Sequence, residues 1–152
     1  MSIGQIMAPA RIHLDVDAPS KKRALERMSE YLSAGDADLS SGQVFDALLS
    51  RERLGSTGLG FGFAIPHARH ALASDVRGAC MRLSKPIDFD AMDRQPVDFV
   101  VGLLVPDGSA DEHVHMLAEL AGMLNEADIR ERLREAVTPE DILEVFMAAP
   151  AA

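Results

Sequence analysis

The stretch GLGFGFAIPHAR, residues 58–69, sets His67 directly behind Pro66 and close to three glycines, Gly58, Gly60 and Gly62. Proline fixes its own φ and offers no N–H, while glycines let the chain turn tightly and let another molecule approach the backbone. A histidine presented this way keeps one ring nitrogen free when the other is fixed by a hydrogen bond. It can then act as nucleophile, base or metal ligand, and the same pattern also suits a turn histidine with no chemistry. A second cluster, DEHVHML at 111–117, holds His113 and His115. Two residues apart on a helix they point about 160° apart, so only one of them can face a given site. The apolar stripe read from Val114, Leu117, Ala118, Ala121 and Leu124 is centred well under 100° from His113 and well over 100° from His115. His113 is therefore expected to border the buried face, in a first helical turn whose free N–H groups favour an anion; a boundary histidine bonded to a carbonyl is the alternative. Arg51 is the third candidate, because it precedes the GSTG turn that leads toward His67. Its guanidinium suits phosphate oxygens, and equally suits a helix C-terminus through the dipole alone.

Other chemistries fit less well. His67, His70, His113 and His115 are four of the five histidines, and three of them meeting at a zinc would make a metal-dependent hydrolase. Against this, HxH diverges on a helix, His67 and His70 have no helical context, and there is no HExxH sequence. There is no GxSxG elbow for a serine hydrolase, and no Walker A or dinucleotide fingerprint. No cofactor and no metal are implied.

The elements that must position these residues can be read from periodicity. Ser20 caps a predicted helix with Ala24, Leu25, Met28 and Leu32 on one face, closed by Gly35. Ser40 and Gln43 have capping-box spacing ahead of a second helix with Val44, Ala47, Leu48 and Leu54 as its stripe, ending at Gly55 with Arg51 and Arg53 in its last turn. FGFAI, VRGACMRL and VDFVVGLLV read as strands, with Arg11 to Val16 as an edge strand. Val97 to Val105 is apolar on both faces and is expected to be central, covered on both sides. Ser109 and Glu112 again have capping-box spacing ahead of a third helix running to Leu124. NEADIRERLREAV reads as a short helix, and Thr138 with Pro139 opens a last one. Helices, then strands, then helices imply an α/β fold, a three-layer domain with one mixed central sheet flanked by helices on both faces.

A chain of 152 residues suits one domain, 1–152, with the alanine-rich ends as its loose parts. Fifteen basic against 24 acidic residues give a net charge of −9, which disfavours nucleic acid and suits basic patches on protein partners. Cys80 is the only cysteine, so no internal disulfide or thiolate cage can form, and a reducing compartment fits. With no signal-like N-terminus and no run of eighteen apolar residues, a cytoplasmic protein without membrane insertion is expected.

With these residues in hand, the sequence resembles the IIA phosphocarrier domain of the fructose/mannitol class of the bacterial phosphotransferase system (PTS), most closely its nitrogen-regulatory branch. The resemblance runs from about residue 20 to residue 147 and rests on GSTGLGFGFAIPHAR, KPIDFDAMDRQPVDFVVGLLVP and EHVHMLAELAGML, in that order. It implies that His67 accepts a phosphoryl group from a small HPr-like histidine phosphocarrier. His113 falls at the family's second active-site histidine and Arg51 at its active-site arginine. Phe61 and Phe63 are expected on the docking face, with acidic residues around it. Phe61 stands where the nitrogen branch often has a small polar residue, and no IIB or IIC domain is present. The resemblance thus implies a stoichiometric carrier whose phosphorylation state is read by transporters or sensor kinases. The alternative is a sugar-uptake IIA feeding a separate IIB protein.

Overall fold

Ten residues, Val97–Pro106, form the strand β6 on which the rest of the sheet is hung. Its alternation decides the architecture. Phe99, Val101 and Leu103 enter one core and Val100 and Leu104 enter the other, so each face needs its own cover. The computed structural model describes residues 2–148. In chain order the other elements are α1 (Ile3–Ile6), a 3-10 turn (Pro9–Arg11), β1 (Ile12–Val16), α2 (Lys21–Ser33), α3 (Ser41–Glu52), β2 (Gly58–Gly60), β3 (Phe63–Ala64), β4 (His67–His70), β5 (Arg77–Ile87), α4 (Ala110–Leu124), α5 (Ala127–Glu135) and α6 (Pro139–Ala148).

The sheet runs β1-β5-β6-β3-β2, with β4 also beside β6. β5 is antiparallel to β6, β3 and β4 are parallel to it, β1 is parallel to β5, and β2 turns back on β3. Helices α2 and α3 cover one face and α1, α4, α5 and α6 the other. This is the expected mixed sheet between two helical layers, with β1 at its edge. Ser20 and Ser40 accept the capping bonds from Arg23 and Gln43. Thr138 accepts from the Asp141 N–H, and Ala24, Leu25, Met28 and Leu32 are buried. Gly102 lets α2 press onto β6, since a Cβ there would collide with Met28.

Several expectations need correction. FGFAI is not one strand: Gly60, Phe61 and Gly62 all have positive φ, which folds the segment into the β2–β3 turn. His67–Ala68–Arg69–His70 is a strand in its own right because it pairs in parallel with Leu103 to Pro106. Ser109 stands at the N-cap of α4 but its hydroxyl makes no capping bond. The buried stripe of α4 is Met116, Leu120, Met123 and Leu124, while Val114 is 69% exposed. Leu54 lies beyond α3 and is 84% exposed. The N-terminal end is not loose, since α1 buries Ile3 and Ile6 against the α4 side. The alanine-rich C-terminal end, 149–152, lies outside the described residues. Cys80 is buried in β5, and burial pushes its thiol pKa up.

Candidate functional site

Three elements converge at the open edge of β4. His67 is its first residue, Arg51 lies in the last turn of α3, and His113 is the fourth residue of α4. Together with Ser50, Arg69, Asp107 and Ala110 they line a cleft of about 650 Å³. The His67 and His113 rings meet edge to face, with centroids 5.1 Å apart and planes at 78°. His113 is half-buried and His115 exposed, as the helical-face argument requires. The reason differs in detail: His113 sits three residues before Met116 and seven before Leu120, on the true buried stripe.

The His67 Nδ1 lies 2.7 Å from the Ile65 carbonyl oxygen. A carbonyl can only accept, so Nδ1 carries the proton and Nε2 holds a free lone pair. Burial lowers the pKa of His67, the Ile65 bond works against this, the Arg51 charge adds to the lowering and the Glu52 charge opposes it. His113 is lowered further, to about 4, by burial and then by His67, Arg69 and Arg51. Both rings are therefore neutral at physiological pH. The His113 Nε2 is buried and has no partner among the described residues. The first N–H groups of α4 likewise go without a bond from the Ser109 side chain. Arg51 gives one hydrogen bond, from Nη1 to the Gly55 carbonyl at 2.9 Å. Two neutral imidazoles, guanidinium groups and uncapped N–H groups around one hollow can hold an anion against a nucleophilic nitrogen.

The three residues singled out from the sequence are thus brought together. The other two histidines of the zinc alternative go elsewhere: His70 Nδ1 accepts the Leu72 N–H, and His115 faces water. Among the described residues no three His, Cys, Asp or Glu side chains gather as metal ligands. Phe63 is fully buried and so cannot form a docking face. Phe61 is 54% exposed but lies outside the cleft, where the exposed apolar side chains are Leu54 and Val114. The sequence reading missed Arg69, which follows His67 by two residues; strand alternation would have found it had HARH been recognised as a strand. It also missed Glu52, a buried carboxylate beside Arg51.

The family described as "Phosphoenolpyruvate-dependent sugar phosphotransferase system, EIIA 2" matches residues 5–149. The chain belongs to this family. This EIIA chain is 40% identical over 143 residues to a nitrogen regulatory protein of Pseudomonas aeruginosa, covering 94% of this chain and 93% of that protein. It superposes on the crystal structure of the nitrogen regulatory protein IIA-Ntr from Neisseria meningitidis with a TM-score of 0.90 and 41% identity, over 95% of this chain and 98% of that one. The mannitol IIA of Escherichia coli shares the fold, with a TM-score of 0.77 at 22% identity over 91% and 97% of the two chains. The chain is accordingly an EIIA phosphocarrier of the nitrogen-regulatory branch, a phosphohistidine carrier rather than a turnover enzyme. Among the described residues no helix is long and apolar enough to cross a membrane.

Proposed function

We propose that this EIIA chain, one domain over 1–152 working in the cytoplasm, takes its phosphoryl group on Nε2 of His67 from the phosphohistidine of a small HPr-like protein. The Nε2 lone pair attacks phosphorus in line, the N–P bond to the donor ring breaks, and its electron pair returns to the donor imidazole. The His67 ring then carries a positive charge beside the phosphoryl dianion, and its Nδ1–H stays on the Ile65 carbonyl. His113, Arg51 and the first N–H groups of α4 hold the phosphoryl oxygens. His113 suits this role if it donates from its buried, unpartnered Nε2, which puts its lone pair on Nδ1. Leu54 and Val114 supply apolar contact for the donor, with Asp107 in the cleft wall and the exposed Asp111 in the first turn of α4 to meet basic residues. The observation that carries this reading is the His67 imidazole fixed by Ile65 with Nε2 free, edge to face with a second neutral imidazole.

Downstream, we read the chain as a regulator whose two states are distinguished by transporters or sensor kinases. Incubation with phosphoenolpyruvate and the two general relay proteins, followed by mass spectrometric mapping, tests the chemistry. Acid-labile phosphate on His67 supports it, whereas an unlabelled His67 with active relay proteins refutes it. Fast onward transfer to a sugar-specific IIB protein would favour the sugar-uptake alternative. Stoichiometric zinc in protein purified without added metal would favour the hydrolase.

A further inference from the structure

Glu52 follows Arg51 directly, yet its side chain is only 4% exposed. A carboxylate taken out of water must be fully partnered or it neutralises. Glu52 has three partners. The Lys21 ammonium is 2.9 Å from Oε2, the Thr57 N–H donates to Oε2 at 2.9 Å, and the Thr57 hydroxyl donates to Oε1 at 2.5 Å. Lys21 is itself held by Asp90 at 3.3 Å and lies 5.0 Å from the centre of the Phe89 ring.

These bonds lead to the site by two routes. Thr57, clamped at both its N–H and its hydroxyl, offers its carbonyl to the Ile65 N–H at 2.9 Å. Ile65 in turn offers its carbonyl to Nδ1 of His67 at 2.7 Å. In the other direction, the Glu52 carbonyl accepts the Gly55 N–H at 3.2 Å, and the Gly55 carbonyl accepts from Arg51 at 2.9 Å. The acceptor imidazole and the guanidinium therefore hang on one turn, residues 52–57, and Glu52 is its internal anchor.

We propose that Glu52 is a positioning residue of the phosphoryl-transfer site: through Thr57 and Ile65 it fixes the proton of His67 on Nδ1, and through the 52–57 turn it holds Arg51 at the cleft. Its effect on rate rests on His67 being the acceptor. Glu52 touches neither the phosphoryl group nor the donor; it acts through the geometry of those two side chains, and its charge also raises the His67 pKa against the effect of burial. Loosening the turn lets the Ile65 carbonyl move off the ring, the proton shifts to Nε2 in part of the population, and that part has no nucleophilic lone pair facing the cleft.

The test uses the full ¹⁵N-labelled chain. Imidazole nitrogen spectra at neutral pH report which nitrogen of His67 carries the proton, and the rate of phosphate acceptance is measured at saturating phosphorylated HPr-like protein. Wild type is expected to show the Nδ1–H tautomer alone. Glu52→Gln is expected to mix in the Nε2–H form and to slow acceptance about tenfold with the donor KM within about twofold of wild type. A folded Glu52→Gln protein with a wild-type tautomer and rate overturns the proposal. Should Glu52→Gln fail to fold, Thr57→Val decides it instead. That change keeps the Lys21–Glu52 pair and removes one bond to the turn, and a wild-type tautomer and rate there overturn the proposal equally. Failure of the acceptor reading looks different: wild type would take no phosphate from an active donor, while the tautomer comparison would still report the Glu52 linkage.

Discussion

The same glycine-rich stretch builds two corners of the molecule that hold arginine beside aromatic rings, and they treat the arginines oppositely. At the β2–β3 turn, Arg134 donates to the Phe61 carbonyl and pairs with Asp98 at 3.0 Å. Arg130 lies 3.9 Å over the Phe61 ring and donates to the Leu124 carbonyl at 2.9 Å. Around His67, Arg51 has one backbone acceptor, and Arg69 has no hydrogen-bond or ion-pair partner among the described residues. The first corner is a finished structure: its cations are matched and their work is to stabilise a left-handed Phe61, with φ at 59°. The second has donors to spare beside two neutral rings, which is the signature of a place prepared for an anion.

Four measurements separate the two corners. His67→Ala is expected to abolish phosphate acceptance with no loss of fold by circular dichroism; retained acceptance would move the nucleophile elsewhere. Arg51→Ala should slow transfer by about 10² through loss of a donor to the phosphoryl oxygens. Arg134→Ala is its control: transfer within about twofold of wild type, with stability lowered by about 1 kcal/mol because Asp98 and the Phe61 carbonyl lose their partner. If Arg134→Ala slows transfer as much as Arg51→Ala does, the division between the two corners is wrong.

The third measurement is pH. The unfolded chain takes up a proton on His113 as pH falls through 6.5, whereas the folded ring holds out to about 4. More protons are bound by the unfolded state in that window, so stability falls on acidification between these values and is unaffected above them. Urea midpoints against pH should therefore slope less in His113→Gln than in wild type, and equal slopes would mean that His113 is already charged in the folded protein. Smallest of all, Phe61→Gly should change stability by less than about 1 kcal/mol, since the loss of the Arg130 contact is offset by relief of the left-handed backbone. A larger loss would mean the ring does more than cover Arg130.

The layers were legible because they rest on long periodic signals. Val97 to Val105 could only be a strand buried on both faces, and the capped helices from Ser20 and Ser40 follow from local rules. His67, His113 and Arg51 were singled out by glycine and proline punctuation, helical phase and chain order together with the family resemblance, and the structure brings the three to one cleft. What escaped was tertiary. HARH becomes a strand only by pairing with β6, and that pairing exposes Arg69 to the cleft. Glu52 in an RER triplet looks like any solvated charge until α2 brings Lys21 against it. Phe63 looked like a docking residue until the hairpin turned it inward, and Ser109 makes no cap bond, its φ and ψ of −112° and 44° lying outside the extended conformation of a capping residue.

Cys80 bears on how this protein can be studied by chemistry. It is the only sulfhydryl in the sequence, it is fully buried, and its raised pKa keeps it from forming the thiolate that alkylating reagents need. A cysteine placed at the exposed Ser50, which lines the cleft, would thus react alone, with the native residue left in place. A single fluorophore at the rim of the cleft would then report, on the unaltered core, the arrival and departure of each docking protein in real time.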